Sequence, residues 1–182
     1  MPTVITHAVV PLLIGTAAGR RAISPRLLAA GAVAAMLPDA DVLAFKFGIA
    51  YADAFGHRGA THSIALALAL AALAACAWRL LRTTPGRAFV FVGLAALSHP
   101  LLDALTDGGL GVALAWPFSA DRFFFPWRPV EVSPIGARFF STRGLDVLAS
   151  EACWVWLPCA LAALAIRAAR RTARRPAPAR VP

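Results

Sequence analysis

At 182 residues the chain is the length of one ordinary domain, yet 59% of it is apolar and only 15% charged, against roughly 45–50% and 25% in soluble domains. That balance excludes a disordered chain, and three cysteines, Cys76, Cys153 and Cys159, all inside apolar runs, exclude a disulfide-built secreted fold. The net charge of +9 does not indicate nucleic acid, because the basic residues flank apolar segments instead of forming a patch interleaved with aromatics.

Five apolar runs follow one another: Val4 to Gly19, Leu27 to Leu37, Ser63 to Leu81, Ala88 to Leu105 and Val147 to Ile166. The expected fold is therefore all-α: a polytopic membrane bundle of about five transmembrane helices, since a span takes ~20 residues at ~1.5 Å each. The first run carries no Lys or Arg before it, as a secretory signal would, and reads as a retained helix. It is short, so groups at its end are expected below the membrane surface. The second opens on a capping Ser24 with Pro25 at the first helical position and is interrupted by Pro38 in Leu37-Pro38-Asp39-Ala40-Asp41. Beyond that break, Val42 to Phe47 is apolar again and reads as a re-entrant or interfacial segment. From Thr106 to Asp146 a Gly- and Pro-rich connection carries Trp116, Phe118, Phe123, Phe124, Phe125, Trp127, Phe139 and Phe140, which suits either the headgroup zone or a hydrophobic loop packed on the helices. Residues 1–166 are expected to form one membrane-embedded domain and 167–182 a basic, disordered tail near anionic lipid.

Ionisable groups within apolar runs are costly and each one calls for an explanation. Here all four histidines and three aspartates fall at matching ends of alternating spans. His7 starts the first; Asp39 and Asp41 end the second; His57 and His62 precede the third; His99 and Asp103, four residues apart and so on one helix face, close the fourth. Asp107 extends that face if the helix lasts until Gly108. Seven N and O donors exceed the needs of one tetrahedral ion, and the expectation is two divalent ions bridged by a carboxylate. Imidazole and carboxylate without thiolate suit zinc, with manganese or iron also compatible. Two ions would also offset the three carboxylate charges.

The order Thr6-His7, Leu37-Pro38-Asp39-Ala40-Asp41, His57-Arg58-Gly59-Ala60-Thr61-His62-Ser63, Ser98-His99-x-x-x-Asp103, Gly108-Gly109 and Trp116-Pro117-Phe118-Ser119 resembles the bacterial YdjM-type (LexA-regulated) inner-membrane metal-dependent hydrolase family, from about Thr3 to Phe125. The resemblance implies a multi-helix protein of the bacterial inner membrane with a metal-dependent hydrolase site. More distantly, the helical scaffold with His-x-x-x-Asp is similar to zinc-dependent phospholipase C, which implies phosphoester hydrolysis with Asp103 bridging metals. That family has further downstream histidines, whereas His99 is the last in this chain.

The expected activity is hydrolysis of a phosphoester, membrane lipid included, by metal-activated water at the outer leaflet, with no nucleic-acid partner. Arg58 is the candidate for anion recognition, since a guanidinium forks onto phosphate oxygens. Asp39 or Asp41 is the candidate base. Thr61 and Ser63 read as caps. The alternatives are a divalent-ion transporter, against which the cytoplasmic halves Leu68 to Trp78 and Ala160 to Ile166 are essentially apolar, and a membrane protein keeping a structural metal.

With five spans, one side of the membrane holds Arg20, Arg21, Arg26, Arg79, Arg82, Arg87, Arg167, Arg170, Arg171, Arg174, Arg175 and Arg180. The other holds Lys46, Arg58, Arg122, Arg128, Arg138 and Arg143. The richer side is expected to be cytoplasmic, with the N-terminus and the His/Asp groups external. A reporter fused after Arg175 should then read cytoplasmic and one inserted near Asp53 external; the opposite pair of signals reverses the orientation.

Overall fold

The computed structural model describes residues 1–134 and 136–173. Helix α1 (Val4–Ala18) turns at Gly19 into α2 (Pro25–Met36), which passes directly into a 3₁₀ helix over Leu37–Phe47. A loop and a short 3₁₀ turn, Ala60–His62, lead to α3 (Ile64–Cys76), then α4 (Pro85–Ala104). After a long connection, α5 runs over Thr142–Thr172 with one π turn at Ala152–Trp156. Among the described residues no strand forms; two isolated bridges, Thr106 with Val130 and Val112 with Phe123, fold the connection on itself. This is a helical membrane bundle, as its composition demands.

Prolines set the local geometry. Pro38 lacks an N–H, and its ring meets the carbonyl four residues back, so α2 cannot continue as α-helix and tightens into the 3₁₀ form. The expected break is thus a change of pitch. Pro25–Phe47 becomes one apolar rod of 23 residues rather than a helix followed by a separate re-entrant piece. In α5, Pro158 conflicts with the Trp154 carbonyl, and the widened turn directly before it is the π turn.

Among the described residues, three rods are long and apolar enough to cross a membrane: Pro25–Phe47, Pro85–Ala104 and Thr142–Thr172. Helices α1 and α3 have 15 and 13 residues. The third apolar run is therefore helical over a shorter stretch than its composition suggests. It stops at Cys76 because the next segment serves α2: Leu80 and Leu81 give their carbonyls to Arg26 and to the Ser24 hydroxyl. At its other end the fifth run exceeds expectation, since the helix carries Arg167 to Thr172; residues 174–182 of the expected tail lie outside the described residues.

Packing runs α3 on α4, α4 on α2, α2 on α1 and α1 on α5, with α1 also touching α4. The interfaces are built from small side chains: Ala67 and Ala74 of α3 cluster with Ala88, Val92 and Ala96 of α4, with Leu27 and Ala34 of α2 closing the core. Lipid tails are as apolar as leucine, so helices gain by close backbone approach, and the larger Leu68, Leu73, Val90 and Leu94 point outward. Gly15 and Gly31 admit the Phe91 ring between α1, α2 and α4, at positions where a Cβ would collide with it.

The bundle has two unlike ends. At one, Arg87 reaches the Arg21 carbonyl, Arg170 the Ala17 carbonyl at 2.5 Å and Arg26 the Leu80 carbonyl at 3.0 Å, so the α1–α2 turn, the segment after α3 and the end of α5 converge as a basic rim. The histidines and aspartates occupy the other end.

Gly31→Val should push Phe91 out of its slot and cost about 1–3 kcal/mol, the usual range for overpacking. A fall in Tm in detergent checks it, with Val33→Ala on the exposed face of the same helix as the control.

Candidate metal centre

Each element delivers its side chain to one point. His7 sits on the first turn and a half of α1, Asp39 and Asp41 on the 3₁₀ helix, His57 and His62 on the segment entering α3, and His99 and Asp103 on the last turns of α4. All seven are buried, with His7, His62, His99 and Asp103 at zero exposure. Helix α4 ends at Ala104, so Asp107 leaves this face and instead accepts the Val132 N–H at 2.8 Å.

The proton positions follow from the partners. His99 Nδ1 lies 2.7 Å from the Ala35 carbonyl, which only accepts, so Nδ1 carries the hydrogen and Nε2 of the neutral ring a lone pair. His62 Nδ1 lies 3.0 Å from Thr61 Oγ1, whose own proton goes to Asp41 Oδ2 at 2.5 Å; Nδ1 is again the donor. The two Nε2 atoms nevertheless face each other at 3.0 Å. Around them stand Asp103 Oδ2, 3.2 Å from His62 Nε2, and Asp39 Oδ1, 3.5 Å from His99 Nε2. His7 Nε2 approaches Asp103 Oδ1 at 3.5 Å and Asp39 Oδ2 at 3.8 Å, its ring stacked on that of His99 at 3.7 Å.

Such an arrangement calls for positive charge. All four carboxylate oxygens of Asp39 and Asp103 are buried without a hydrogen-bond partner, as are both nitrogens of His7. The Arg58 guanidinium stands beside Asp103, whereas Asp39 faces only imidazoles; a buried carboxylate left without a counter-charge costs roughly several kcal/mol, a large part of a domain's net stability. Burial works against a charge on His62, but the carboxylates of Asp103 and Asp41 outweigh it and push its pKa up to about 9, so a metal ion binding at Nε2 would displace a proton from that ring. Asp39, His62, His99 and Asp103 present one donor atom each within 4.8 Å of one another, the spacing of a set that closes on a cation. The buried cluster can thus hold a metal ion, and hard N and O donors fit a divalent one.

A second group, Asp41, His57 and His62, meets the first through His62. Asp41 differs from Asp39 in being well supplied: its oxygens take His57 Nδ1 at 2.5 Å, the Thr61 hydroxyl and the Arg58 backbone N–H at 3.2 Å. Tyr51 packs edge-on against the His57 ring at 5.2 Å. Ser63 caps α3 through the Leu66 N–H at 3.1 Å, as its position suggests; Thr61 is no cap but the link between His62 and Asp41.

Arg58 is where the fold adds most to the sequence. Its guanidinium is wholly buried, with Nε 3.2 Å from Asp103 Oδ2, one terminal nitrogen on the Gly108 carbonyl at 2.9 Å and the other on Thr106 Oγ1 at 3.0 Å. Its backbone adopts φ +64°, a left-handed conformation costing a non-glycine residue about 1–2 kcal/mol. Gly109 makes the room: a Cβ there would strike the Arg58 guanidinium and the Tyr51 hydroxyl. So placed, Arg58 grips Asp103 from behind and anchors the connection after α4.

Glu151 escaped the motif reading, although a lone carboxylate inside the apolar run Val147 to Ile166 was the available signal. It is fully buried on α5 beside the π turn and accepts the Thr3 N–H at 2.5 Å, the Thr3 hydroxyl at 2.7 Å and the Thr6 hydroxyl at 2.5 Å. Trp156 Nε1 donates to Thr6 Oγ1 at 2.7 Å. This network ties α5 to the start of α1, next to His7.

Comparison with known proteins agrees with the bundle. The family described as YdjM inner membrane protein matches residues 1–173. The inner membrane protein YbcI of Escherichia coli (strain K12) is 51% identical over 162 residues, 87% of this chain and 92% of that protein. No solved structure matches the chain.

Because Arg58 acts on Asp103, Arg58→Ala should weaken divalent-ion binding about 10–100-fold, the usual effect of removing a group that orients a ligand. Titration of the purified protein with Zn²⁺ or Mn²⁺ by calorimetry checks this. Unchanged metal affinity would leave the guanidinium to another task.

Proposed function

The chain belongs to the YdjM inner membrane protein family, and on that premise we propose that it is a membrane-bound metal-dependent hydrolase acting on a phosphoester. The observation that carries the reading is the pair of buried carboxylates, Asp39 and Asp103, whose oxygens take no hydrogen bond and which one guanidinium, Arg58, balances only in part, around two mutually facing imidazole nitrogens. Asp39, His62, His99 and Asp103 would hold the ion, with His7 beside them. Such an ion lowers the pKa of water toward about 7 and draws negative charge from a phosphoryl oxygen.

The remaining residues supply positioning and proton handling. Asp41 holds the Nδ1–H of His57, which leaves Nε2 of that ring able to accept the proton of an attacking water and, as imidazolium, to be stabilised by Asp41. Of the two candidate bases, Asp41 thus works through His57, and Asp39 is assigned to the ion. The Ala35 carbonyl fixes the His99 tautomer and the Thr61 hydroxyl that of His62, so each presents Nε2 inward. Water attacks phosphorus as its proton passes to His57, the ester P–O bond breaks, and the leaving oxygen takes that proton back from the imidazolium.

A binuclear version would put a second ion at Asp41, His57 and His62, with His62 giving up its Nδ1 proton to bridge the two ions as an imidazolate. It requires Asp41 to exchange its present donors for an ion. Zinc is the first metal to test, with manganese and iron next. The external placement of the site rests on the arginine distribution, now gathered into one basic rim at the opposite end of the bundle.

Protein reconstituted in liposomes with Zn²⁺ or Mn²⁺ should turn over phosphoesters, and His57→Ala should lower kcat about 10²–10⁴-fold with bound metal retained, as loss of a general base does. Asp103→Asn should lose metal and activity together. Elemental analysis alongside the assay gives the stoichiometry, one ion or two. Preferential cleavage of soluble peptides would overturn the reaction class.

A further inference from the structure

Beside the buried cluster lies a groove of about 610 Å³ between the start of α1, the end of α2 and Ser133, Pro134, Gly136 and Phe139. Val4, Ile5, Val33, Met36, Leu37 and Phe139 line it, and among its described lining residues the one charged side chain is Asp39. Asp39 is 6% exposed, and both of its oxygens lack a hydrogen-bond partner. The groove therefore ends against Asp39 at the edge of the candidate metal centre, with the carboxylate oxygens just beneath its surface, while its outer walls, with Ile5 56% and Val33 61% exposed, face outward from a bundle that sits in lipid.

An open apolar groove at bilayer depth is filled by hydrocarbon, because water has no partner there and the surrounding acyl chains do. A soluble substrate would gain nothing from such walls. An amphiphile would gain its orientation: chain along the groove, polar end at Asp39. We propose that the groove binds an acyl chain of a glycerophospholipid, which enters sideways from the bilayer and brings its phosphate to the centre. The proposal rests on the hydrolase reading, since only a cation beside Asp39 makes that end of the groove attractive to a phosphate.

The test uses the full chain in vesicles of phosphatidylethanolamine and phosphatidylglycerol, the latter carrying a diazirine in one acyl chain. After irradiation, adducts should concentrate on Val4, Val33 and Phe139 over Leu73 and Leu161, exposed apolar residues elsewhere on the bundle. Equal labelling of both sets overturns the proposal, as does a stable dimer that shields the groove from label. Independently, Ile5→Trp or Val33→Trp should fill the groove and lower turnover of the phospholipid about tenfold or more, leaving bis(4-nitrophenyl) phosphate turnover and bound metal within about twofold. Equal loss on both substrates with metal retained also overturns it. If neither phosphoester is turned over, the hydrolase reading fails, and the adduct pattern still decides whether a lipid chain occupies the groove.

Discussion

Two carboxylates without hydrogen-bond partners, Asp39 and Asp103, stand inside a membrane bundle against two imidazole Nε2 atoms that face one another across 3.0 Å. In a low-dielectric interior that arrangement is unfavourable unless a cation completes it. The rest of the molecule can be understood as the apparatus that holds these four groups in place. Arg58 steadies Asp103, the Ala35 carbonyl and Thr61 orient the two histidines, and Glu151 ties down the helix end from which His7 projects.

The scaffold meets that demand with few large interior side chains. Alanine-lined contacts among α2, α3 and α4 let the backbones approach closely, which fixes the distance between Asp39 on one rod and His99 on its neighbour. The 3₁₀ pitch imposed after Pro38 brings Asp39 and Asp41 onto adjacent but distinct tasks: one facing the cluster unpartnered, the other saturated by His57, Thr61 and the Arg58 amide. Beside the cluster the start of α1 and the end of α2 leave an apolar groove. Metal affinity, proton handling and access from the bilayer would thus come from one set of helix lengths and crossings.

Chemistry and tertiary arrangement divide cleanly at particular residues. The apolar runs, the opposition of a basic end to a His/Asp end, and the i, i+4 pair His99 and Asp103 are legible in the chain itself. Each reflects a local rule: helix length against bilayer thickness, the cost of charge in lipid, the 3.6-residue period. Arg58 is the counterexample. Its neighbours in sequence suggest a surface anion site, but its partners Asp103, Thr106 and Gly108 are about 50 residues away, and only the folded chain shows the guanidinium buried on them. The same holds for Glu151, whose donors Thr3 and Thr6 lie at the other end of the chain.

Helix boundaries show the division again. Composition alone extends the third run to Leu81, because Leu80 and Leu81 are as apolar as what precedes them; their carbonyls are drawn instead to Ser24 and Arg26 of another helix. By itself the sequence determined that this is a membrane bundle with histidines and aspartates gathered at one end, since residue type and period suffice for both. Which carboxylate is left unpaired, which is satisfied, and which arginine serves a ligand were decided by tertiary structure. Hydrogen-bond partnership in a buried site depends on groups far apart in the chain, and no local pattern encodes their meeting.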